Sequence, residues 1–96
     1  SVTLNKEMDN TPVVIMAHFT GTTIDPYIAL SVRVRRGTST ISWNSGGAYG
    51  SGYTAGTAIN TFETGLSAGN YTYTLEYNST MSNHQVSSLV VFELKQ

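Results

Sequence analysis

The sequence predicts an all-β domain, an antiparallel β-sandwich of jelly-roll-like form, and three observations carry that prediction. Thr and Ser abound beside six Tyr and nine Gly, while Lys, Glu and Ala are scarce, a composition that suits strands better than helices. No window places apolar residues at helical spacing over three turns. Short stretches instead alternate apolar with polar and are punctuated by Gly, Pro and Asn. Ninety-six residues are enough for one domain with a single two-layer core.

Taken in order, residues 1–10 are polar and weakly patterned, a linker or a short edge strand, and residues 11–96 form the sandwich. From Pro12 a strand of Val13-Val14-Ile15-Met16-Ala17-His18-Phe19-Thr20 runs to Gly21. Asp25-Pro26 marks a turn, because the residue before proline is pushed out of the helical region. In Tyr27 to Arg36, Ile28, Leu30, Val32 and Val34 face one way and Ala29, Ser31, Arg33 and Arg35 the other, the pattern of a strand with one wet face. Gly37-Thr38 reads as a hairpin turn into Thr40 to Asn44, where Ile41 and Trp43 are expected to share a face. The glycine-rich stretch Asn44 to Gly52 reads as loop. Tyr53 to Leu66 holds a strand in which Ile59 and Phe62 differ in parity, which predicts a bulge or a register break between them. After a tight turn at Ser67 to Asn70, Tyr71, Tyr73, Leu75 and Tyr77 alternate with polar residues. A polar loop over Asn78 to Gln85 leads to a last strand, Val86 to Lys95. That makes six or seven strands.

The first and last long strands are apolar on both parities. Val13, Ile15, Ala17 and Phe19 alternate with Val14 and Met16, and Val90, Phe92 and Leu94 alternate with Leu89 and Val91. A strand apolar on both faces is covered on both, yet a two-layer domain covers one face only. Ile28, Leu30, Val32, Val34, Leu75, Val90, Phe92 and Leu94 are the expected core. Val14, Met16, His18, Leu89 and Val91 are then the expected oligomer interface, with a second copy of the chain as its simplest occupant.

Charge narrows the partners. Five Lys+Arg against six Asp+Glu leave a net charge of -1, which gives no electrostatic ground for nucleic acid or an acidic membrane as partner. The longest apolar run, Val13 to Ala17, is far below the roughly 20 residues needed to cross a bilayer. Cysteine is absent, so neither disulfides nor thiolate chemistry is available. A chain that opens on Ser1 without a signal segment is expected to be a piece of a longer protein.

The closing third carries a resemblance. Leu66-Ser67-Ala68-Gly69-Asn70-Tyr71-Thr72, followed by the final Leu89-Val90-Val91-Phe92-Glu93-Leu94 strand, resembles the tumour necrosis factor-like and complement head-like jelly rolls that cap trimeric phage and bacterial fibres. The resemblance implies a homotrimer whose first and last long strands lie side by side facing the threefold axis, at an extracellular or virion surface. The Leu-x-Ala-Gly-x-Tyr turn also occurs in immunoglobulin-like sandwiches, so a structural module of a longer surface protein, or a carbohydrate-binding module attached to an enzyme, stays open.

Catalytic chemistry finds little support. The histidines His18 and His84 are far apart, and the six carboxylates are spread singly, whereas a glycosidase needs two carboxyls about 5–9 Å apart. No nucleophile elbow is present, and the Gly46-Gly47-Ala48-Tyr49-Gly50 stretch lacks the Lys of a phosphate loop. The expectation is a non-catalytic domain with no cofactor and no metal. One constellation points to a ligand: Trp43, Tyr49 and Tyr53 flank the glycine-rich stretch with Asn44 beside them. Sugars offer an apolar C–H face and a rim of hydroxyls, which aromatic rings and amide side chains match. These four residues are the expected site for a cell-surface glycan, a protein receptor being the alternative partner. In the competing reading, Trp43 is a core plug beside Ile41.

Overall fold

The computed structural model describes residues 1–22, 27–49, 54–79 and 83–95, with side chains over 1–20, 31–45, 56–77 and 87–95. Seven strands follow one another: β1 (Val2–Lys6), β2 (Val13–Thr22), β3 (Tyr27–Arg36), β4 (Ser39–Tyr49), β5 (Thr54–Glu63), β6 (Gly69–Ser79) and β7 (Asn83–Glu93). They form a four-stranded sheet, β1-β6-β3-β4, and a three-stranded sheet, β5-β2-β7. Every pairing is antiparallel, and the sheets pack face to face as the β-sandwich expected from the alternation. A full jelly roll has eight strands; four and three stand here among the described residues.

The core sits where the parities of the two sheets meet. Val13, Ile15, Ala17, Phe19 and Ile59 come from the three-stranded sheet, and Val32, Val34 and Tyr73 from the four-stranded one. Phe19 and Tyr77 stack across the interior with ring centroids 4.5 Å apart. Val32 and Val34 are buried and Leu75 packs against the core as expected, while the side chains of Ile28 and Leu30 lie outside the described residues. The Asp25-Pro26 turn and His84's side chain lie outside them too. Gly37 turns β3 into β4 with φ +57°, a conformation that costs a side chain more than it costs glycine.

The last strand has the opposite register to the expected one. Leu89 and Val91 face the core, whereas Val90, Phe92 and Leu94 are exposed. Both parities of this strand are apolar, so alternation alone could not choose between them. Pairing decides it: Val91 and Leu89 lie opposite the buried Ile15 and Ala17, while Phe92 and Val90 lie opposite Val14 and Met16. Leu89 and Val91 are therefore turned toward the core and not toward the outer face.

Three further expectations change. Strand β5 pairs with β2 from Val13↔Glu63 to Thr22↔Thr54 without a shift, so no bulge separates Ile59 from Phe62. Ile59 points inward, and Phe62 stands 65% exposed on the outer face. The glycine-rich stretch is not loop from its first residue: β4 continues to Tyr49, because β3 pairs with it through Tyr27↔Tyr49. Likewise the polar stretch after Tyr77 is strand to Ser79 and again from Asn83.

Ion pairs close one end of the sandwich. Glu63 and Glu93 both lie opposite Val13, one on each flank, and each meets a cation from the facing sheet. Arg36 Nε donates to Glu63 at 3.1 and 3.2 Å, and Tyr73 Oη donates to Glu63 Oε2 at 2.6 Å. Lys6, only 1% exposed, holds its Nζ 3.6 Å from Glu93 Oε2. The β1–β2 turn wraps the Glu93 carboxylate, which accepts from the Glu7 N–H at 2.9 Å, the Met8 N–H at 3.1 Å and the Thr11 hydroxyl. These donors, Thr11 first, then Glu7, Met8 and the Lys6 charge, outweigh desolvation and pull the Glu93 carboxyl down to about 2. Carboxylates that look scattered in the sequence are thus brought onto one row and bound to cations, a structural arrangement that fastens the sheets to each other.

Candidate functional site

Two outward faces remain once the core is built, and they differ in chemistry. The outer face of β5-β2-β7 is apolar. Val14 has Phe62 on one side and Phe92 on the other, and in the next row Met16 lies between Asn60 and Val90. His18 follows between Ala58 and Ser88. Met16, Phe62, Val90, Phe92 and Leu94 are all exposed, and no Lys, Arg, Asp or Glu shares this face among the residues whose side chains are described. A shallow depression of about 430 Å³ lies on it, lined by Pro12, Val14, Met16, Phe62 and Leu94 among others. An uncovered apolar surface of this kind is unusual on a soluble monomer. Of the expected interface, Val14, Met16 and His18 lie here. Phe62, Val90, Phe92 and Leu94 take the places of Leu89 and Val91.

The outer face of β1-β6-β3-β4 is polar. Thr3 and Thr72 share a hydroxyl contact at 3.2 Å across β1 and β6. Further along, Arg33 lies opposite Trp43 on β4 and opposite Glu76 on β6, so the three make one row across the sheet. Arg33 Nε donates to Glu76 Oε1 at 2.6 Å, and Arg35 Nη1 stands 3.5 Å from Glu76 Oε2. The hydrogen bond from Arg33, then the two guanidinium charges, hold the Glu76 carboxyl below the usual carboxylate range against a partial desolvation that raises it. A groove of about 710 Å³ runs over this row, lined by Ser31, Arg33, Trp43 and Glu76, with Val32, Leu75 and Tyr77 completing it.

Trp43 is 68% exposed and is not a core plug. The cause is a break in pairing: Val34 faces Ser42 while Arg35 faces Thr40, which leaves Ile41 as the extra residue. Such a bulge turns the residues on either side of it differently from simple alternation. Ile41 packs against the core, and Trp43 faces outward beside Arg33. The parity the two share in the sequence does not survive in space.

The expected glycan site is only partly assembled. Trp43 stands on the outer face, but Asn44 points to the other side, its Nδ2 donating to the Ala58 carbonyl at 3.0 Å and its Oδ1 accepting from the Ser45 N–H at 2.9 Å. Asn44 therefore ties the edge of one sheet to the edge of the other. The Tyr49 backbone ends β4, its side chain lies outside the described residues, and so does all of Tyr53. Arg33 and Glu76 are what the sequence reading missed. The signal was present in Arg33 on the wet parity of β3 and Glu76 on that of β6, but no local pattern says that these strands are neighbours. No group of His, Cys, Asp or Glu suited to a metal ion occurs among the described residues. No family model, curated protein or solved structure matches the chain.

Proposed function

We propose that this chain is a non-catalytic head domain that assembles as a homotrimer and binds a cell-surface receptor, a glycan or a protein, at the tip of a phage or bacterial fibre. The observation that carries the reading is the apolar outer face of β5-β2-β7, with Met16, Phe62, Val90, Phe92 and Leu94 exposed around a half-buried Val14 in a single chain. Such a face packs against its own symmetry copies without burying a charge. At ~25 cal/mol per Å² of apolar surface, several such side chains from each copy contribute several kcal/mol per interface before the cost of association is subtracted. The side-by-side placement of β2 and β7 supports the resemblance to tumour necrosis factor-like heads, which implies that neighbourhood.

Light scattering coupled to size exclusion tests the reading. A wild-type species of three times 10.4 kDa is expected, falling to the monomer mass in Phe92→Asp and in Phe62→Asp. A wild-type monomer at micromolar concentration rejects the head.

That result would favour a second reading, an immunoglobulin-like structural module, which has one observation of its own. The β2–β5 and β3–β6 pairings match the B–E and C–F pairings of the immunoglobulin sandwich. The outermost strands are exchanged, since β1 joins β6 and β7 joins β2.

A further inference from the structure

We propose that the row Glu76–Arg33–Trp43 on the outer face of the four-stranded sheet is a subsite for a sugar that carries a carboxylate, such as a uronate or a sialate. The proposal deepens the receptor reading by naming a ligand class, and it rests on that reading only for the biological context. The three residues of the row come from one chain, so the site does not depend on assembly.

Three features of the row specify the ligand. Trp43 presents its indole to solvent at 68% exposure, at the rim of a groove of about 710 Å³. A flat aromatic face this exposed matches the apolar C–H face of a pyranose. Arg33 and Glu76, one and two strands away, place N–H donors and carboxylate acceptors within roughly 5–10 Å of that ring, the span of one or two sugar units. The Ser31 hydroxyl lines the same groove and adds a group that both donates and accepts.

Charge selects among sugars. Two guanidiniums, Arg33 and Arg35, share the single carboxylate of Glu76, so the row carries one net positive charge. Arg33 reaches Glu76 through Nε. The two Nη groups, which can take a carboxylate end-on with two parallel hydrogen bonds, are not used in that contact. A ligand carboxylate on Arg33 would balance the charge, with the ring stacked on Trp43 and its hydroxyls donating to Glu76. The chain's net charge of -1 and the short extent of the basic row speak against a nucleic-acid backbone.

Trp43 is the only tryptophan of the chain, so its fluorescence reads the site directly. Titration with galacturonate and with N-acetylneuraminate, at constant ionic strength, is expected to give a saturable change in emission with half-saturation in the millimolar range typical of single sugar sites. Galactose and sodium acetate should act at least tenfold more weakly. Arg33→Gln, with its fold checked by circular dichroism, should lose tenfold or more for the acidic sugars. No saturable change, an equal response to galactose, or full binding by Arg33→Gln overturns the proposal. The native mass, measured on the same sample, keeps the two ideas apart. A monomer that binds galacturonate removes the fibre head and leaves the sugar site, and a trimer with no response does the reverse.

Discussion

The two outer faces of this sandwich are built on the same backbone geometry and have opposite surfaces. Across β5-β2-β7 the outward row Phe62–Val14–Phe92 is wholly apolar, while across β6-β3-β4 the corresponding row is Glu76–Arg33–Trp43. The difference teaches what each face is free to do. A solvated row such as the second can meet a small polar ligand and keep its hydration elsewhere. An apolar row such as the first gains only by being covered. The proposed assembly and the proposed recognition thus fall on opposite sides of one small domain, and a trimer closed through one face would leave the other turned outward.

The largest test of this contrast compares the two sides of a single strand. Ile15 is fully buried, and its neighbour Met16 is exposed on the apolar outer face. Ile15→Ala should cost about 2–5 kcal/mol, the range for emptying a packed aliphatic site. Met16→Ala should cost well under ~1 kcal/mol in a chain kept monomeric, as surface changes do. Urea unfolding followed by far-UV circular dichroism measures both. Equal costs would mean that the outer face is already covered within one chain, and the case for a second copy would collapse.

The next effect separates the ionic end of the sandwich from both faces. Tyr73 is fully buried with its hydroxyl on Glu63. Desolvation, then the hydrogen bond and charge of Glu63, raise the phenol well above its ordinary value of 10. A group whose folded value is raised lends its full stability below the unfolded value and loses it as pH climbs above that value. Stability should therefore decline above about pH 10, and Tyr73→Phe should flatten that limb while costing about 1 kcal/mol at neutral pH through the lost hydrogen bond. An alkaline limb that is the same in Tyr73→Phe would show that the phenol does not titrate with unfolding.

What was legible in the sequence follows from where a single strand's pattern suffices. The alternation in Tyr27 to Arg36 placed Val32 and Val34 inside and Arg33 and Arg35 outside, as found, because one face of β3 is apolar and the other polar. The last strand was opaque for the opposite reason: Leu89, Val90, Val91, Phe92 and Leu94 are all apolar, and only the β2–β7 register separates them. That Ile41 and Trp43, two residues apart, face opposite ways is invisible in the sequence because a bulge is a property of two strands in partnership. Lys6, read as part of a polar segment, is buried because Glu93 lies 87 positions away in the chain and next to it in space. Non-local pairing is what a one-dimensional pattern leaves out.

The smallest expected effect belongs to Glu76, and setting it beside Glu93, the other carboxyl held below its usual range, sharpens the contrast between surface and interior. Glu93 is enclosed by the Thr11 hydroxyl and the Glu7 and Met8 N–H groups, whereas the Glu76 ion pair lies open to solvent. A carboxyl with a depressed folded value lends stability above its unfolded value, near 4.5 for both, and loses it as pH falls toward the folded value. For Glu93 the window runs from about 4.5 down to about 2. Its hydrogen bonds are short-range, so 0.5 M salt should leave this acid limb in place. Glu76 is screened by the same salt, because the Debye length at that concentration is about 4 Å. Glu93→Gln should therefore blunt the loss of stability between pH 4.5 and pH 2 at either salt concentration. Glu76→Gln should leave the unfolding midpoint at pH 7 unchanged within error, since exposed ion pairs contribute little. A clear destabilisation by Glu76→Gln that persists in 0.5 M salt would show that the Arg33–Glu76–Trp43 row is part of the packing that holds the sheet, and would remove it as a surface free to meet a ligand.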